Sequence, residues 1–133
     1  MPERYPGFVL WGCALVFVVI SVVFTLVPSA MFADIGLVVA GGSPMTELRA
    51  VYGGVHLAIG VFLVVCASRG AAARELGLLL SFLAFSALAG YRAIGMAVDG
   101  QQVALMSTLL VMESAGVVFA LSGLLVSPRS SES

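Results

Sequence analysis

Residues 43 to 67 read SPMTELRAVYGGVHLAIGVFLVVCA. Glu47, Arg49, Tyr52 and His56 fall in the first half of this stretch, and the second half is wholly apolar. At ~1.5 Å per residue a helix of this length crosses a hydrocarbon core of ~30 Å. Ionisable groups therefore enter a bilayer here, and such groups are costly in lipid unless they face other helices.

Three further apolar runs flank this one. The first, about 5–27, follows Arg4 and ends at Pro28. It is longer than the apolar region of a signal peptide, and Glu3 cancels Arg4 ahead of it, so a retained first span is expected. The second span is expected over about 44–67, with Ser43 as N-cap and Pro44 at the first helical position, where its missing N–H does no harm. Arg69, Gly70 and Arg74 mark a polar turn before a third span at about 75–97. Val98-Asp99-Gly100-Gln101-Gln102 supplies turn chemistry, and a fourth span follows at about 103–126. Between spans one and two, Ser29 is expected to cap a short helix through Met31 to Leu37. Phe32, Ile35 and Leu37 would then lie on the bilayer surface and Asp34 would face water. The tail 127–133 is polar and expected to be disordered. The expected fold is all-α: one membrane domain over 1–133, a four-transmembrane-helix bundle with a short interfacial helix between helices 1 and 2.

Composition agrees. Of 133 residues, 61% are hydrophobic and 10% charged, against about 45–50% and about 25% in soluble domains; mean hydropathy is +1.15. The net charge is −1 and every basic residue is an arginine, so there is no Lys/Arg stripe to bind nucleic acid. Cys13 and Cys66 sit in apolar runs without metal-ligand spacing and read as buried thiols. Neither a phosphate-binding glycine loop, nor a nucleophile elbow, nor a zinc helix motif is present, and neither metal nor cofactor is expected. With both termini cytoplasmic, Arg4, Arg69, Arg74 and Arg129 lie inside and only Arg49 and Arg92 lie toward the outside, which favours an N-in, C-in orientation in a bacterial inner membrane.

Helical rise places Glu47, Arg49, Tyr52, His56, Arg92 and Glu113 in the outer half or at the midplane. Arg49, Tyr52 or Gly53, His56 and Gly60 share one α-helical face, and Ala50, Gly54 and Ala58 form a small-residue row expected to pack on a neighbour. In the fourth span Glu113, Gly116, Ala120 and Gly123 share a face, so Glu113 is expected to look inward and pair with both arginines. Ala89, Arg92, Met96 and Asp99 share a face in the third span, beside the small pair Ser86 and Gly90. Each polar residue also has an ordinary reading: Glu47 stabilises a helix start, Arg49 snorkels to headgroups, and Tyr52 and Trp11 sit in interfacial belts. A single histidine such as His56 more often bridges helices than binds a ligand, and an Arg92–Glu113 pair that only locks the bundle explains both of those residues.

The run Thr46-Glu47-Leu48-Arg49-Ala50-Val51-Tyr52-Gly53-Gly54, an arginine late in the third span, the Asp99-Gly100 turn and Glu113 in the fourth together resemble a bacterial membrane family, domain of unknown function 4345, over nearly the whole chain. The resemblance implies a four-helix membrane protein and carries over Glu47, Arg49, Tyr52, Gly53, Gly54, Arg92 and Glu113 as a polar pattern. It implies no established activity. Gly90-Tyr91-Arg92 departs by one residue from the family's usual Gly-Arg.

The first expectation for function is a pocket that binds a lipid or small amphiphile. In it Arg49 and Arg92 hold an anionic or carbonyl oxygen, Glu113 and His56 fix orientation, and Gly53 and Gly54 admit the ligand to the backbone; the protein would work as a homo-oligomer. The second is an accessory or self-assembling subunit of a membrane complex in which the buried ion pairs are structural and set helix register. The third is proton-coupled transport or intramembrane isomerase chemistry through Glu113.

Overall fold

A computed structural model of the chain describes residues 4–39, 41–100 and 103–127. The expectations for Glu3, Gln101, Gln102 and the tail beyond Ser127 lie outside the described residues. Six α-helices follow in order: α1 Tyr5–Leu26, α2 Pro28–Asp34, α3 Ser43–Leu48, α4 His56–Ala67, α5 Ala71–Asp99 and α6 Ala104–Val126, with a π-helical segment Arg49–Val55 joining α3 to α4. Residues 43–67 thus form one continuous span. With α1, α5 and α6 it makes four helices long and apolar enough to cross a membrane, and the chain is a multi-pass membrane protein.

The helix boundaries follow local chemistry. Pro28 ends α1 and opens α2, with Val27 rather than Ser29 in the capping position. Gly36, at φ +80°, closes α2: its N–H reaches Ala33 O at 2.9 Å and the Leu37 N–H reaches Phe32 O at 2.8 Å, the doubled bond pattern of a glycine-terminated helix. The second span starts one residue earlier than expected, because Gly42 takes φ +84° and occupies the N-cap position assigned to Ser43. α5 is longer at both ends than its apolar run suggested, since Ala71 to Glu75 are good helix formers.

The spans form a ring in which α1 packs along α4, α5 along α6, and α1 also reaches across to α5. Val9, Leu10, Cys13, Ala14 and Phe17 of α1 are sealed against Leu63 and Cys66 of α4, Leu78 and Phe85 of α5, and Ala120 of α6. Lipid is as apolar as leucine, so association here depends on close backbone approach and van der Waals contact. Gly60 lies against Val18 and the Ala14 carbonyl, and Gly123 against Leu78 and Val9. Where the chain must hide hydroxyls, it turns them onto its own backbone: Ser81 donates to Gly77 O at 2.9 Å. The opposite faces carry Phe8, Leu15, Val111, Val118 and Leu125, all strongly exposed, as a lipid-facing surface requires.

Two expected packing faces are not used within the chain. Ala50, Gly54 and Ala58 are exposed, and a Cβ added at Gly54 or at Gly90 would meet nothing within 4 Å.

Replacing Gly60 by alanine puts a Cβ 2.7 Å from Val18 Cγ2, with Val18 N and Ala14 O at 3.3 and 3.4 Å behind it. Overpacking of this kind costs about 1–3 kcal/mol. G60A is therefore expected to lower the melting temperature of the detergent-solubilised protein by several degrees, and G90A to leave it unchanged.

Candidate functional site

The charged residues of the interior come from facing positions on α5 and α6. Glu113 is the one charged residue of α6 and is 8% exposed. Arg92 grips it side-on: Nε donates to Oε2 at 2.8 Å and Nη2 to Oε1 at 2.5 Å. The third nitrogen, Nη1, points at Met106 Sδ at 3.4 Å. Met106 precedes Glu113 by two helical turns and so shares its face. A fork of two parallel charge-assisted bonds is the strongest arrangement open to this pair, and among the described residues it is the one ion pair.

Around the pair runs a column of aromatic rings. Phe32 of α2 meets Phe24 of α1 at 5.3 Å between centroids and Tyr52 at 5.3 Å; Phe24 stacks on Tyr52 at 5.0 Å. Tyr52 lies nearly parallel to His56 at 6.4 Å, His56 meets Phe17 at 5.8 Å, and Phe17 meets Phe85 at 5.1 Å. Phe32 is 1% exposed. It does not lie on the bilayer surface as expected, because α2 folds back over the ends of α1 and the π segment and offers Phe32 an aromatic niche instead. His56 Nδ1 is sealed and has no hydrogen-bond partner among the described residues.

The column and the pair form the floor of a cleft of about 1290 Å³ between α1 and α6. These two helices meet at the end where Tyr5 and Ser122 share a hydrogen bond of 2.8 Å and where Phe119 lies opposite Gly12. Farther along, Val16 and Val23 on one side and Leu109 and Met112 on the other line the opening, which Met31 of α2 and Ile35 just after it bound at its far end. Tyr52, His56, Arg92 and Glu113 all reach it. Tyr52, Leu88 and Arg92 also line a smaller recess of about 360 Å³ on the α5 side, so the same polar residues border two openings.

Of the eight residues expected at a site, four converge and four do not. Glu47 and Arg49 are exposed and lie outside the cleft; Arg49 makes no ion pair among the described residues, so Glu113 pairs with one arginine rather than two. Gly53 packs on α1, where an added Cβ would sit 2.9 Å from Thr25 Oγ1, and Gly54 faces open space. Neither glycine borders the cleft. Met106 and the rings of Phe17, Phe24, Phe32 and Phe85 were not expected. Met106 had a usable signal, its seven-residue spacing from Glu113; the phenylalanines were indistinguishable from ordinary lipid-facing or core residues.

Fold and site together define a small polytopic helical membrane protein in which a buried Arg92–Glu113 pair underlies a lateral apolar cleft. The chain belongs to the family described as Domain of unknown function (DUF4345), whose model matches residues 7–124. The curated proteins contain no match, and neither do the solved structures.

Removing one member of a buried pair strands the other charge and costs about 3–5 kcal/mol, whereas replacing both by apolar side chains is often neutral. Arg92→Leu and Glu113→Leu are each expected to reduce thermal stability strongly, and the double variant to recover most of the loss. The check is a double-mutant cycle of melting temperatures in one detergent.

Proposed function

We propose that this protein binds a membrane lipid or small amphiphile, which enters sideways from the bilayer between α1 and α6 and seats its polar end at Tyr52, His56, Arg92 and Glu113. The observation that carries this reading is the composition of the cleft: almost entirely apolar walls over a floor where four polar side chains converge. A site of this kind, with apolar walls and a few placed polar groups, is the usual form of a small-molecule pocket. Its volume of about 1290 Å³ exceeds the ~300–1000 Å³ common for such pockets and suits a long aliphatic chain. The reading is one of binding; a proton-coupled or isomerase role has no separate support in the site.

A second reading, assembly with another helix, is favoured by the exposed Ala50, Gly54 and Ala58 row, which leaves a close-packing face of the second span without a partner in the chain. Assembly and amphiphile binding use different faces and are compatible. The arginine count supports an N-in, C-in orientation in a bacterial inner membrane, with the α2 end of the bundle outward.

Two measurements test these proposals. Ala115 borders the cleft and is exposed, so Ala115→Phe fills space without touching the ion pair. It is expected to reduce the lipid co-purified per protein several-fold, as read by mass spectrometry of gentle-detergent extracts, with the melting temperature little changed. Unchanged lipid content would reject the cleft as the binding site. For orientation, a cysteine placed at Asp34 is expected to react with a membrane-impermeant maleimide in intact cells, and one at Arg69 only after permeabilisation; the reverse pattern would invert the topology.

A further inference from the structure

The charges around the cleft fix which kind of amphiphile fits it, an inference that rests on the amphiphile-binding reading. α1 contributes no ionisable group besides Tyr5 and Cys13, α4 none besides His56 and Cys66, and α6 none besides Glu113. Asp34 of α2 and Arg49 of the π segment are exposed and do not line the cleft. On α5, Arg74, Glu75 and Asp99 also lie off the cleft. Among the described residues its formal charges are therefore those of Arg92 and Glu113, and these two already cancel each other through both Glu113 oxygens.

A phosphate or carboxylate arriving here would find no free cation. It would have to displace Glu113 from Arg92, leaving one of two anions unpaired in a low-dielectric site. A quaternary ammonium would meet the mirror-image obstacle at Arg92. An uncharged oxygen function meets neither. The fork leaves one N–H each on Nη1 and Nη2 outside the two bonds to Glu113 and the contact with Met106, and each Glu113 oxygen keeps a lone pair. Tyr52 Oη makes no hydrogen bond among the described residues, and because His56 Nδ1 is sealed, the histidine edge toward the cleft is the one carrying Nε2. Donors and acceptors thus stand side by side without net charge, which suits hydroxyl and ester groups that both give and take hydrogen bonds.

We infer that the cleft selects an uncharged, hydroxyl- or ester-bearing head on a long aliphatic chain, and rejects anionic and cationic amphiphiles of the same chain length. A glycerol ester or a long-chain alcohol carries this chemistry.

The test uses the full-length protein in phosphatidylcholine nanodiscs and three photoactivatable probes that share one diazirine-bearing chain: a monoacylglycerol, a lysophosphatidate and an alkyl trimethylammonium. Labelled peptides are mapped by mass spectrometry. The monoacylglycerol is expected to label α1 and α6 cleft residues such as Val16 and Leu109, to be competed by unlabelled monoacylglycerol, and to exceed both charged probes by about tenfold or more. Unlabelled hexadecanol competing equally well would assign recognition to the hydroxyl, and failing to compete would assign it to the ester; both support an uncharged head. Equal or stronger competed labelling by a charged probe would overturn the inference while leaving amphiphile binding standing. Absence of competed cleft labelling by all three would overturn both. In a second arm, Glu113→Gln, confirmed monodisperse by gel filtration, frees Arg92 and is expected to shift preference toward lysophosphatidate; an unshifted preference in that folded variant would overturn the charge argument.

Discussion

The side-on bond between Arg92 and Glu113 is the constraint on which the α2 half of the bundle depends. A lone charge near the middle of a spanning helix costs about 2.5–3.5 kcal/mol on insertion scales, and each of these residues is the remedy for the other. The pair therefore fixes the rotation and the axial register of α6 on α5 at one point. Gly116 against Phe85 and Gly123 against Leu78 then follow along the same face, one and three turns farther along α6.

Fixing α6 to α5 leaves α6 free to part from α1. At the end that carries both termini, the Tyr5–Ser122 bond and the edge contact of Phe8 with Phe119 hold α1 and α6 together. Toward α2 no comparable pairing bridges them, and the cleft occupies the gap. The rings of Phe24, Phe32 and Tyr52 line its floor and Met31 and Ile35 bound its far end, so the opening lies along the side of the bundle, between α1 and α6. The geometry that protects the charges is thus also the geometry that leaves an apolar entrance beside them.

The spans, their order and the inward aim of Glu113 were legible in the sequence because hydropathy, turn residues and the Glu113, Gly116, Ala120, Gly123 face are local signals with a fixed period. The Arg92–Glu113 pair was legible as well, from opposite charges at similar depth on two spans; the exclusion of Arg49 from it was not, because that depends on where the second span faces. The face assignment for that span presumed regular α-helical turns throughout, and the segment Arg49–Val55 is π-helical. Within that segment Arg49, Ala50 and Gly54 are exposed and Gly53 is buried against α1. The burial of Phe32 was hidden for a different reason: nothing local distinguishes a phenylalanine lying on a membrane from one folded under its own helix against rings that arrive from distant positions.

The π segment also explains how one short stretch serves three partners. Gly53 must press on α1 beside Thr25, Tyr52 must meet Phe24 and Phe32, and His56 must meet Phe17, although all three residues lie within little more than one turn. Adjacent glycines at Gly53 and Gly54 have the weak helical preference and the freedom from Cβ crowding that a widened turn exploits, and the wider turn spreads their neighbours over a broader arc. Two leucines in place of Arg92 and Glu113 would hold α5 to α6 comparably well. What the ion pair supplies beyond that is a polar floor, and the widened turn is what brings Tyr52 and His56 to the same floor from the opposite wall.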